Sequence, residues 1–180
     1  MHDLEQQILS IHKKYHLDIY QFLLYFTGNH TEAEDLTQEV FIRLLKALPT
    51  YDGRSEMKTW IFSIAKYTAI DAYRRRKMYE LLPSEWLKRL HSKDGIPESS
   101  WESKETQHEL MDAIRKLKPA HRMAVYLRGI KEFSIKETAE ILGCTESKVK
   151  TDFSRGLQIL QQKLKPHYYP GGLQTENVKR

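Results

Sequence analysis

Cysteine is almost absent from this chain. Among 180 residues only Cys144 carries a thiol, which excludes an internal disulfide and any metal site built on a cysteine cluster. A small buried hydrophobe is the expected role for that side chain. The 8 glycines arrive singly, apart from Gly171-Gly172, so no glycine-rich loop exists to cradle a phosphate. No apolar run approaches the ~20 residues that span a bilayer, and no direct membrane insertion is expected. The opening stretch "MHDLEQQILSIHKKYHLDIY" alternates charge with hydrophobe and lacks the apolar block of a signal peptide; a cytoplasmic location is expected. His12 and His16 have the four-residue spacing of a metal-binding helical pair, yet the pattern holds no third ligand, so both are expected to be solvated surface histidines. No nucleophile–base constellation can be assembled and no cofactor is implied. An enzyme is not expected.

Charge is present in quantity and is unevenly placed. The apolar share of 40% is too high for wholesale disorder and fits one or two small domains. Residues 1–80 carry 11 Lys/Arg against 11 Asp/Glu, residues 81–107 carry 4 against 5, and residues 108–180 carry 14 against 8. The net +5 therefore sits in the C-terminal part. Within the neutral first part, "KYTAIDAYRRRK" gathers Lys66, Arg74, Arg75, Arg76 and Lys77 around Asp71 alone. Two separate basic sites permit a nucleic-acid partner.

Periodicity is helical wherever it is regular. "LDIYQFLLYF" sets Ile19, Phe22, Leu23 and Phe26 on one face. Gly28-Asn29-His30 interrupts it, and Thr31 with Glu34 reads as a capping box for a second helix ending before Pro49. After the turn "PTYDGRS", Ser55 is placed to cap a third helix through "TWIFSIAKYTAIDAYRRRK", in which Trp60, Ile64 and Ala65 share a side and are expected in the core. The expected fold is all-α: two small helical domains joined by a flexible linker. The first spans residues 1–78, the linker 79–107, the second 108–166, and 167–180 form a disordered tail. Trp86 and Trp101 fall in the linker, where they either dock it on a domain or meet a partner.

"FSIKETAEILGCTESKVKTDFSRGLQIL" reads as two helices across a tight joint. Ser134 and Glu137 make a capping box, with Ile135, Thr138, Ala139 and Leu142 facing inward. Gly143 is placed to end the first helix at positive φ, and Thr145 to cap the second. Val149, Phe153, Leu157, Leu160 and Leu164 make the second helix's expected buried stripe. Its other face presents Ser147, Lys148, Thr151, Ser154, Arg155 and Gln158, with Lys150 to the side. A helix-turn-helix with a cationic outer face fits a DNA major groove.

The segment from Ala33 to Lys77 strongly resembles region 2 of bacterial RNA polymerase sigma factors, and the terminal helix-turn-helix is similar to their region 4. The two-part layout looks like the extracytoplasmic-function (ECF) type. That resemblance implies a subunit that joins core RNA polymerase, directs it to promoters and assists melting. It implies that Asp35, Gln38 and Glu39 contact the β′ coiled coil, with the β subunit a further partner. It places Tyr51, Lys66, Tyr67, Asp71, Arg74, Arg75 and Arg76 at the minus-10 element, and Ser147, Lys148, Lys150, Thr151, Ser154 and Arg155 at the minus-35 element. Tyr67 stands where the family often has Asn, and it lacks an amide's paired donor and acceptor. Asp71 either bonds a base or neighbours an arginine. Arg122 and Arg128 are candidates for phosphate contacts. An anti-sigma factor, often membrane-anchored in this family, is the implied inhibitor. The alternative, a stand-alone helix-turn-helix regulator with a sensing or dimerising bundle, predicts specific duplex binding without polymerase.

Overall fold

A computed structural model describes residues 2–80, 110 and 112–168. The linker beyond Glu80, with Trp86 and Trp101, and the tail beyond Tyr168 lie outside the described residues. Among the described residues the architecture is all-α. Helices α1 (His2–Thr27), α2 (His30–Ala47) and α3 (Met57–Glu80) form the first group. The second group comprises a helical turn at 112–115, α4 (Pro119–Val125), a π-type turn (Tyr126–Ile130), α5 (Ile135–Leu142) and α6 (Glu146–Tyr168).

Helical spacing on α1 turns Ile11, Tyr15, Ile19, Phe22, Leu23 and Phe26 into one buried stripe. It meets Leu36, Val40 and Leu44 from α2 and Ile61, Phe62 and Ala65 from α3. Each large side chain buried there contributes about 1.5–3 kcal/mol. Trp60 and Ile64 pack against this core but stay half-buried, and only Ala65 of that trio is within it. Trp60 is held instead by the ring of Tyr51, 4.6 Å away between centroids.

Two helix starts differ from expectation. The cap of α2 is Asn29: its backbone is extended and its Oδ1 accepts the Glu32 N–H at 2.9 Å. Thr31 is already inside the helix, because Gly28 ends α1 at φ 68 and leaves Asn29 to turn the chain. At α3 the first helical bond runs from Trp60 N–H to the Glu56 carbonyl at 3.0 Å. Ser55 is thus one residue too early to cap, and its carbonyl accepts the Tyr51 hydroxyl instead.

In the second group the expected punctuation holds. Pro119 opens α4 in the first turn, where its missing N–H costs nothing. Ser134 and Glu137 form a reciprocal capping box, Gly143 closes α5 at φ 63 and ψ 45, and the Thr145 hydroxyl accepts from Lys148 N–H at 3.2 Å. The inward stripe of α6 is shifted from the expected one. Val149, Asp152, Gly156 and Leu160 are buried, Phe153 and Leu164 are half-buried, and Leu157 is exposed. Gly156 explains the shift: its bare Cα lets α6 lie against Val125 and His121 of α4, rotating Leu157 outward. Cys144 is half-buried at the joint rather than fully buried, and burial pushes its thiol pKa up.

The two groups pack against one another. Met123, Tyr126, Leu127, Phe133 and Ile141 belong to the core built by α1–α3. Tyr126 lies against Phe22 and Tyr25, and Phe133 meets Phe62 edge-on with centroids 5.0 Å apart. Replacing Asn29 by Ala should lower stability by about 1 kcal/mol. Thr31→Ala should change it by less than about 0.5 kcal/mol. Both are read as shifts of the urea midpoint followed by circular dichroism.

Candidate nucleic-acid interface

On α2, Asp35 and Gln38 point to solvent while Glu39 is half-buried. Glu39 is occupied: one carboxylate oxygen lies 2.6 Å from the Arg43 guanidinium and the other 3.4 Å from that of Arg75. Arg43 in turn holds Asp71 at 3.0 Å. Of the two expected roles for Asp71, neighbour to an arginine is the one this geometry displays. Arg76 pairs with Glu32 at 3.2 Å, whereas Arg74 has no carboxylate partner among the described residues. The basic run on α3 is therefore tied, through Arg75 and Arg76, to the acidic side of α2.

Near the middle of α3, Lys66 and Tyr67 form one unit, with the ammonium 3.8 Å from the ring centroid and the ring half exposed. Tyr51 and Trp60 make a second aromatic pair at the turn before it. A stacked or cation-bearing aromatic is a surface on which an unpaired base can stack.

On α6 all six expected residues, Ser147, Lys148, Lys150, Thr151, Ser154 and Arg155, are exposed along one side with Gln158. Asp152 is turned inward and is buried. One of its oxygens takes the Lys148 ammonium at 2.8 Å, and the other faces His121 Nε2 at 3.6 Å. Burial of this carboxylate removes a repulsive charge from the face that would meet phosphates.

Two expected phosphate contacts are overturned. Arg122 is 7% exposed, and its guanidinium donates to the backbone carbonyls of Phe26, Ile114, Arg115 and Leu117. Arg128 is half-buried, donates to the Phe133 carbonyl and lies over the Phe153 ring. Both are spent on protein partners because they sit on the inward side of the α4 region. His12 and His16 stack with each other and with Phe41, at 4.6 and 4.7 Å from the His12 ring, and both are exposed. Among the described residues no cluster of three metal-ligating side chains occurs, and no helix is long and apolar enough to cross a membrane.

The sigma-70 region 2 family model matches residues 11–78, and the sigma-70 region 4 model matches residues 107–160. The ECF RNA polymerase sigma factor SigX of Bacillus subtilis is 36% identical over 163 residues, covering 88% of this chain and 84% of that protein. The chain belongs to the ECF sigma factors. SigW of the same organism is 31% identical, covering 82% of this chain and 83% of its own. The fold is shared with the sigma factor RpoE solved with the anti-sigma factor NepR from Bartonella quintana (TM-score 0.70, 22% identity, 93% of this chain and 100% of that one). CnrH solved with the cytosolic domain of CnrY is similar (TM-score 0.67, 17% identity, 91% of each chain). As an alternative sigma factor the chain directs RNA polymerase to promoters. A stand-alone regulator is not favoured, since it would need no region 2.

Sequence reasoning missed Arg43 as the hub between Glu39 and Asp71, although its i+4 position after Glu39 was a signal. It also missed the inward Asp152, which is the one acid beyond the first turn of α6 and lies four residues from Lys148. At the cap of α5, bonds from the Ser134 hydroxyl and backbone hold the Glu137 carboxyl below the ordinary 4.5. A lowered folded pKa stabilises above the unfolded value and is lost as pH falls through the folded one. Ser134→Ala should therefore cost about 1 kcal/mol at pH 7. The gap from wild type should narrow as pH drops below 4.5, as measured by urea titrations at stepped pH.

Proposed function

We propose that this ECF sigma factor holds the β′ coiled coil of core polymerase chiefly through Asp35 and Gln38, contacts the β subunit as well, and reads promoters with α3 and α6. The observation that carries the reading is the sorting of charge on α6. The exposed side chains Ser147, Lys148, Lys150, Thr151, Ser154, Arg155 and Gln158 are polar or cationic, while Asp152 is turned in and paired with Lys148. Such a face suits a major groove with phosphates at its rim. Lys148, Lys150 and Arg155 supply the cations, and Ser147, Thr151 and Ser154 supply short donors and acceptors at the minus-35 element.

At the minus-10 element, Tyr51 with Trp60 and Tyr67 with Lys66 offer stacking for an extruded base, which loses a few kcal/mol of stacking when it leaves the duplex. Arg74 is free among the described residues to meet the backbone, and Arg75 and Arg76 exchange their half-buried carboxylate partners Glu39 and Glu32 for phosphates. Ion pairs at the surface are worth only about 0–1 kcal/mol, so that exchange is inexpensive. Asp71 and Glu39 position Arg43 and Arg75 at the base of this surface. The chain works in the cytoplasm, where promoters and polymerase are, and has no active site of its own. An anti-sigma factor, soluble or membrane-anchored, holds it inactive by covering these faces.

In transcription reactions with purified bacterial core polymerase and promoter libraries, the chain should produce discrete new start sites. Asp35→Ala should weaken core binding about tenfold, the loss of roughly one charge-assisted bond. Lys150→Ala should weaken all promoters alike. Selective duplex binding with no start sites would reject the sigma reading.

A further inference from the structure

Helix α6 carries two acids, and they are placed differently. Glu146 is exposed in the first turn, whereas Asp152 is buried, with 4% of its surface exposed. Helical spacing sets Asp152 on the same side as Gly156, four residues on. There the glycine lets α6 lie against α4: a Cβ on Gly156 would stand 2.5 Å from Val125 and 3.3 Å from the His121 carbonyl. The carboxylate is fixed between two neighbours. One oxygen accepts from the Lys148 ammonium at 2.8 Å, and the other faces Nε2 of the buried His121 at 3.6 Å. Lys148 is the only lysine or arginine paired with Asp152 among the described residues.

Lys148 differs from the other cations of this face. Lys150 and Arg155 are exposed and have no carboxylate partner among the described residues, so their long stems are not tethered. Lys148 lies in the first turn of α6, where its N–H donates to the Thr145 hydroxyl at 3.2 Å. A cation at that end opposes the helix dipole, and Asp152 one turn on offsets it. A recognition helix meets base edges with its N-terminal residues. An ammonium has three donors; Asp152 takes one, and with 56% of the Lys148 side chain exposed the others stay on the open side. The pair brings no net charge, so it adds little to the counterion release that drives phosphate binding. Nor is Lys148 readily lost to a phosphate, because a buried carboxylate stripped of its partner is strongly destabilising.

We propose that Asp152 is a positioning residue for the minus-35 element: backed by α4, it fixes the Lys148 ammonium so that Lys148 meets an acceptor on a base edge as a directed donor. The pair adds specificity and leaves general affinity to Lys150 and Arg155. This inference rests on the assignment of α6 to the minus-35 element made above.

The test uses the full chain assembled with core polymerase. Affinity is measured along a salt series for two duplexes: a promoter recovered from the library, and the same promoter with its minus-35 element scrambled. Asp152→Asn keeps the shape and an acceptor but releases one cation. It should tighten the scrambled duplex, steepen the slope of log affinity on log salt by about 0.9, and cut the intact-to-scrambled ratio about tenfold, equivalent to one directed base contact. Lys148→Met combined with Asp152→Asn keeps the wild-type net charge. It should leave the slope and the scrambled duplex unchanged while weakening the intact promoter about tenfold. Lys148→Arg leaves the buried carboxylate paired and should weaken the intact promoter alone, since a guanidinium does not replace a directed ammonium. That variant decides the matter should the Asp152→Asn proteins lose helix content by circular dichroism. An unchanged slope in Asp152→Asn, or equal losses on both duplexes in the double variant, makes Lys148 an ordinary phosphate contact and overturns the proposal. Wild-type affinity of Lys148→Arg for both duplexes overturns it as well. Wild-type holoenzyme that binds the two duplexes equally removes the minus-35 assignment itself, and the proposal with it.

Discussion

One buried guanidinium sets the geometry on which the rest of the chain depends. The carbonyls at helix C-termini have no partner within the helix and carry negative partial charge. Phe26 lies in the last turn of α1, and Ile114, Arg115 and Leu117 surround the end of the short helical turn before α4. Arg122 donates to all four carbonyls and lies 5.4 Å from the centroid of the Phe26 ring. No carboxylate is needed to hold this cation in the interior, because two chain ends point their carbonyls at it. From that anchor α4 is fixed against α1, and the Tyr126–Phe133 segment leaves α4 already aimed at the first core.

The surface charges obey a different rule. Glu39, Arg43, Asp71 and Arg75 form a chain of exposed or half-exposed pairs, each worth little to stability. Their value is positional: Glu39 holds Arg43 and Arg75 at set places, and Arg43 holds Asp71. The trio Asp35, Gln38 and Glu39 is therefore physically divided. The first two are open to solvent, while the third is engaged with Arg43 and with Arg75 of α3.

The sequence made the helices legible because their signals are local. Apolar spacing on α1, the Ser134–Glu137 box and Gly143 each depend on residues within a turn or two. The misreadings come where a local signal had a local rival. Thr31 and Asn29 both precede acidic residues, and only the left-handed Gly28 decides between them. Arg122 looks like any basic residue before a helix-turn-helix, and its role requires carbonyls 96 residues away in α1. Leu157 follows the apolar spacing of α6 faithfully, but Gly156 admits α4 and turns that stripe by about one position. The docking of region 4 on region 2 left no periodic trace. Its contacts include Lys131 on Asp18, Phe133 on Phe62 and Tyr126 beside Phe22, none of them unusual as letters.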